Sequence, residues 1–229
     1  MAVSGTTTFD LDLTELVEEA FERCGGELRT GYDLKTARRS LNLLFADWSN
    51  RGVNMWTIEQ GSIPMVAGTA TYSLPTDTVD LLEHVIRTGA GVAATQADLN
   101  ITRISVSTYA TIPNKLTQAR PIQVLINRLE APSITVWPVP DNVQPYTFVY
   151  WRLRRIDDAG NGVNTMDVPF RFIPCMVAGL SYYLAMKVPG GLERLDVLKS
   201  QYDEAWQTAS DEDRDKAAVR FVPRQMFIS

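Results

Sequence analysis

Residues 41–63, LNLLFADWSNRGVNMWTIEQGSI, hold a helical and a β pattern end to end. Leu41, Leu44, Phe45 and Trp48 recur at three- and four-residue steps and so share one face of a helix. Gly52 supplies a stop, and from Met55 the helical spacing is gone. Between Met55 and Ile156 the chain runs in short β-like stretches punctuated by Pro, Gly and Asn. Helical spacing resumes at Asp167. A chain that leaves the helical pattern and returns to it is of the α+β class, with its β region inserted into a helical protein.

Working upstream, the same helix reaches back to Leu34, with Asp33 as its cap and Leu34 and Ala37 on its apolar face. Lys35, Arg38 and Arg39 point elsewhere. An earlier helix places Leu13, Leu16, Val17, Ala20, Phe21 and Cys24 on one face, with Asp12 and Glu15 as a capping box and Gly25–Gly26 as its end. Its other face carries Glu15, Glu18, Glu19 and Glu22, which reads as a solvated acidic stripe.

Downstream, the candidate strands are Trp56–Ile63, Thr71–Leu74, Leu81–Thr88, Ile122–Arg128, Ile134–Trp137 and Tyr146–Leu153, with a short helical turn at Ser105–Ala110. The last strand is apolar on both faces, as befits a central strand. The next helix has Asp167 as cap, Pro169 in its first turn, and Phe170, Ile173, Met176, Val177, Leu180, Tyr183 and Leu184 following. Pro174 either bends it or marks the true first turn. It is apolar almost all round, which places it at the centre of the helical domain. Pro189–Gly191 breaks the chain, and a final helix from Leu192 to Ser210 buries Leu192, Leu195, Leu198, Tyr202, Ala205, Trp206 and Ala209.

These readings place a discontinuous helical bundle domain at 10–54 plus 160–212 and an inserted antiparallel β-sandwich or barrel-like module at 55–159. An extended C-terminal arm follows at 213–229. Arg220, Phe221, Val222, Pro223, Arg224, Met226, Phe227 and Ile228 combine apolar anchors with no periodic face and a helix-interrupting proline. Such a segment either docks on a partner or folds back on its own core; docking is the reading adopted.

Composition narrows the function. With 45% hydrophobic and 21% charged residues, the chain is globular rather than disordered. A net charge of −5 argues against a broad nucleic-acid-gripping surface, which needs Lys/Arg-rich faces. Met1–Phe9 lacks the layout of a secretory leader, and Cys175–Val188 is too short and too interrupted to span a bilayer. The expectation is a soluble protein made in the cytoplasm. Cys24 and Cys175 read as buried free thiols.

Catalytic groups are scarce. His84 is the only histidine, sits in a candidate strand and reads as a satisfied structural residue, so no metal set and no histidine-dependent triad can form around it. No phosphate-binding glycine loop occurs; Gly89–Ala90–Gly91 reads as a turn. Glu59, Glu83, Glu130 and Asp141 could supply a glycosidase pair, although their spacing does not favour one. Trp56, Trp137, Tyr150 and Trp151 could form a stacking platform, but core packing is the simpler reading. No enzyme, cofactor or metal is expected.

The order of short phrases along the chain resembles the head-to-tail adaptor family of short-tailed bacteriophages, the tail tubular protein A or tail accessory proteins. Leu41–Ser49 with Gly52 and Met55–Ile58 begins the resemblance, followed by Val66–Pro75, Ser107–Lys115 with Ala119–Pro121, Ile134–Asp141 and Val168–Pro169. It covers about Leu13 to Trp206, and it rests on order and spacing rather than on any one motif. The resemblance implies a structural virion protein of the phage neck, a helical domain with an inserted β module, and a dodecameric ring. That ring would lie between the portal and the distal tail or nozzle protein, with genomic DNA passing through the lumen and no membrane contact. Other neck or tail subunits, such as a nozzle or completion protein, and a virion-associated peptidoglycan hydrolase are the alternatives.

Overall fold

The first helix forms because its sequence satisfies both of its ends. Asp12 accepts a hydrogen bond from the Glu15 amide at 2.9 Å while the Glu15 carboxylate accepts from the Asp12 amide at 3.3 Å, completing the capping box. Gly25, at φ 82°, closes the other end in the left-handed conformation, and the Gly26 amide returns to the Phe21 carbonyl at 2.9 Å. Between them α1 (Leu13–Cys24) buries all six of its apolar-face residues.

A computed structural model describes residues 5–6, 9–29, 31–52, 55–161 and 163–214. Along these residues the elements are α1, α2 (Gly31–Arg51), β1 (Ile58–Pro64), β2 (Thr71–Ser73), β3 (Thr78–Thr88), β4 (Ala97–Asn100) and β5 (Thr102–Ile104). They continue with α3 (Val106–Ala110), β6 (Gln123–Asn127), β7 (Ser133–Trp137), β8 (Tyr146–Arg154), α4 (Ile173–Ala185) and α5 (Leu195–Glu212). The chain is of the α+β class and divides into two compact units, Met1–Met55 with Asp158–Ser229, and Trp56–Asp157.

In the helical unit α4 packs against α1, α2 and α5. Ten of its thirteen residues are buried, including Leu180 and Leu184 at 0% exposure. Gly179 is what lets α2 and α5 approach it, because a Cβ there would meet Leu44 and Tyr202 at 2.9 Å. Trp48 of α2 donates from Nε1 to the Tyr202 hydroxyl at 3.0 Å and packs with Phe45, Phe172 and Trp206.

Several helix boundaries differ from expectation. α2 begins at Gly31, so Asp33 lies in its first turn, where its carboxylate accepts from the Arg29 amide at 3.3 Å. Asp167 does not cap α4: a 3-10 turn at Phe170–Phe172 intervenes, with Pro169 at its start, and Pro174 occupies the first turn of the α-helix. Phe170 is therefore 69% exposed. Another 3-10 turn, Gly191–Arg194, precedes α5 and turns Leu192 outward, 68% exposed. In both cases the 3-10 winding, with three residues per turn, rotates side chains off the face that α-helical spacing assigns to them.

The β unit holds two four-stranded sheets, β1-β8-β3-β4 and β2-β7-β6-β5. β8 is central, antiparallel to β1 through Gly61↔Tyr150 and to β3 through His84↔Tyr150. One apolar cluster draws on both sheets: Leu81, Ile86, Phe148 and Tyr150 from the first, Val124, Ile134 and Val136 from the second.

The expectation of an antiparallel module needs correcting at one edge, where β5 and β6 pair in parallel. A parallel pair needs a crossover, and the segment between Ile104 and Gln123, which includes α3, provides it. β4 and β5 were not expected, because ADLN and TRI are short, largely exposed and lack alternation. Backbone pairing at sheet edges, rather than their side chains, defines them.

Candidate docking surfaces

α5 ends on Asp213, whose amide bonds back to the Ala209 and Ser210 carbonyls. The Asp213 carboxylate is buried, ion-paired with Arg171, and accepts from the Met55 amide at 3.1 Å. Arg214 pairs with Asp211 at 2.8 Å. The stretch Asp211–Glu212–Asp213, which reads in the sequence as a charged helix end, thus contains a tether for whatever follows it. The expected partner-binding residues Arg220, Phe221, Val222, Pro223, Arg224, Met226, Phe227 and Ile228 lie outside the described residues.

The groups considered for chemistry fall into packing and charge pairing. Cys24 donates from Sγ to the Ser181 carbonyl at 3.0 Å, and burial pushes its thiol up to about 11. Cys175, also a buried free thiol, is pushed up to about 12. Neither offers a thiolate at neutral pH.

His84 differs from expectation: it stacks on Phe148, ring centroids 6.1 Å apart, and neither ring nitrogen has a hydrogen-bond partner. Burial holds its pKa below the ordinary histidine value. Without a hydrogen bond to either nitrogen, nothing orients the ring as a base.

The acidic candidates are dispersed. Glu59 accepts from Arg152 at 2.8 Å and Arg154 at 2.7 Å, and Asp77 accepts from Arg152 at 2.6 Å, so these groups staple β1, β8 and the start of β3. Asp141 accepts from the Tyr146 hydroxyl at 3.1 Å, while Glu83 and Glu130 are exposed. Of the aromatic candidates, Tyr150 is buried in the core and Trp56, Trp137 and Trp151 are half-buried. Trp137 donates from Nε1 to the Asn114 carbonyl at 3.0 Å. They do not make an open platform. Among the described residues no group of three or more His, Cys, Asp or Glu is placed to hold a metal ion, and no helix is long and apolar enough to cross a membrane.

The surfaces that stand out are on the helical unit. A groove of about 600 Å³ opens where the end of α1, the start of α2 and the end of α4 meet. Its floor includes Phe21, Leu184 and Val188, and its rim carries Tyr32, Arg39 and Lys187. The sequence pattern could not find it, since it depends on three elements meeting.

The sequence matches the family described as SU10 adaptor protein over residues 11–224, nearly the whole chain and both units. The chain belongs to that family. Membership in this phage head-to-tail adaptor family makes it an adaptor structural protein of a bacteriophage virion, as the sequence phrases implied. A search of curated proteins returned no match.

Proposed function

We propose that this SU10-family protein is a head-to-tail adaptor subunit that assembles as a ring, dodecameric by family resemblance, beneath the portal. In this reading the ring bridges the portal to the distal tail or nozzle protein and encloses the channel through which the genome passes. The observation that carries it is the family match across residues 11–224. The acidic character of the chain, net −5, fits a wall along which DNA slides without being held at many phosphates.

The architecture is read as a helical bundle domain with an inserted sandwich-like β module, the shared apolar cluster of the two sheets supporting the latter. The role is structural rather than enzymatic. Buried thiols, a histidine lodged against Phe148 and carboxylates committed to arginines support that reading.

Within the arm, residues 217–229 dock on the portal or on a neighbouring subunit, with Phe221, Met226, Phe227 and Ile228 as anchors and Arg220 and Arg224 pairing with acidic groups. Pro223 keeps the segment extended, which lowers the cost of ordering it, and Val222 beside it belongs to the same docking segment. Each buried anchor contributes ~1.5–3 kcal/mol against ~1–2 kcal/mol of backbone entropy per ordered residue. The arm therefore adds to an interface made elsewhere and is multiplied by ring avidity. Truncation after Lys216 tests this: the melting temperature stays nearly unchanged while binding to purified portal falls sharply. A truncated protein that unfolds, or that binds portal like the full chain, refutes the arm. Full-length protein that binds distal tail protein and not portal refutes the adaptor position.

A further inference from the structure

Two helices of the helical unit expose stripes of opposite charge. On α1, Glu15, Glu18 and Glu22 face solvent, while the opposite face is buried in the unit's core. On α2, Lys35, Arg38 and Arg39 are exposed, next to the exposed Lys187 that follows α4. Among the described residues none of these seven has an ion pair, and nothing joins one stripe to the other. The pairs that do form on α1 and just before α2 are local, Glu19 with Arg23 and Glu27 with Arg29.

Among the described residues the hydrogen bonds of the basic stripe go to neutral groups. Arg38 donates to the Gly160 carbonyl at 3.4 Å and to Asn161 at 3.3 Å, and Lys187 donates to the Ser40 hydroxyl at 2.6 Å. Partial burial of the ammonium against Ser40, with the Arg39 charge alongside, holds Lys187 below the usual lysine range. Among the described residues no ion pair neutralises this cluster, although Glu27 and Asp33 line the same groove as Arg39 and Lys187. Beside it the groove floored by Phe21, Leu184 and Val188 and rimmed by the exposed Tyr32 adds apolar area.

We infer that the basic stripe of α2 receives the acidic stripe of α1 from a second copy of this chain, forming the repeating contact of the ring. This rests on the ring reading above. A closed ring built head to tail needs two different, mutually complementary surfaces on each subunit, and the two stripes are such a pair. At 1.5 Å per residue the acidic stripe covers about 10 Å of helix and the basic one about 6 Å, with Lys187 close by at Ser40. Opposed charge sets register and rejects wrong orientations, and the apolar groove supplies contact area.

The test is a pair of charge-reversed full-length variants, Glu18→Lys/Glu22→Lys and Lys35→Glu/Arg39→Glu. Both leave the Asp12–Glu15 cap and the Arg38 hydrogen bonds intact, and each is first checked for a wild-type melting transition. Self-association is measured by sedimentation in about 0.05 M and about 0.5 M salt, where screening differs several-fold in range. The wild-type chain associates and weakens at high salt. Each variant alone associates about ten-fold or more weakly, because its two faces no longer carry opposite charge. An equimolar mixture regains association, since the native basic stripe of one variant meets the native acidic stripe of the other.

A wild-type chain that stays monomeric at low salt overturns the contact. So does either variant associating normally, or a mixture as weak as its components. If Lys35→Glu/Arg39→Glu instead loses retention on duplex DNA with self-association unchanged, the stripe serves phosphates and the inference fails. Portal binding is read in parallel. Variants that self-associate normally while the wild type binds portal remove this contact and keep the adaptor reading. Rescue in the mixture without any portal affinity keeps the contact and removes that reading.

Discussion

His84 shows how much one side chain in an apolar setting decides. Its ring nitrogens make no hydrogen bond and it lies against Phe148, so protonation is opposed by burial. Its ordinary value is 6.5 and its folded value is lower. Below about pH 6.5 the unfolded chain therefore binds more protons than the folded one, and stability falls as pH drops towards the folded value. His84→Phe keeps the stack and removes that slope from melting curves taken between about pH 7 and pH 5; a slope unchanged in the variant refutes the assignment. Asp77, held below the carboxylate range by its hydrogen bond from Arg152, contributes its own loss only at lower pH, near and below 3.8. Leu180, fully buried on α4, gives a second residue-scale expectation. Leu180→Asp places a charge without a partner in the core, at a cost of several kcal/mol against a typical stability of ~5–15 kcal/mol. Loss of helical circular dichroism or insolubility is the expected result; a soluble variant with the wild-type melting transition shows that this helix faces solvent or a partner instead.

At the scale of elements, each helix and strand was readable to the degree that its signal was local. α1 was legible to the residue, because cap, face and stop all lie within fifteen residues of chain. β8 was legible as a central strand because it is apolar on both faces. β4 and β5 were not, because their pairing partners, not their side chains, hold them. Nor was the start of α4, where a 3-10 turn at Phe170–Phe172 displaces the cap from Asp167. Gly61 of β1 is an element-scale constraint of the same hidden kind: it faces Tyr150 across the register, and a Cβ there would run into the tyrosine ring. With Tyr150 buried, Gly61→Ala overpacks the β1–β8 pair and costs ~1–3 kcal/mol. Urea unfolding measures it, and a midpoint equal to wild type shows that Tyr150 yields at no cost.

For the whole molecule, the chain leaves its helical unit at Met55 and re-enters it at Asp158. If the β unit is a separately folding insertion, limited proteolysis cuts first near 51–53 and 157–164. Deleting 55–156 with a short bridge then leaves a helical protein, since Trp48, Phe172, Tyr202 and Trp206 pack among themselves. Absence of helical circular dichroism in that deletion removes the two-domain reading. The adaptor role draws on this arrangement: one chain offers a packed helical body with charged outer faces and a β unit stiffened by arginine–carboxylate pairs.

The sequence by itself determined the α+β class, the buried faces of α1 and α2, the central place of β8 and α4, and the adaptor resemblance. These follow from periodicity, capping and the order of short phrases, all of which are local along the chain. Only the tertiary structure decided that His84 lies without a hydrogen bond, that β5 pairs in parallel, that Asp213 is tethered by Arg171, and that a groove forms beside a basic stripe with no ion pair among the described residues. Each of those depends on groups far apart in sequence meeting in space, and no spacing rule carries that information.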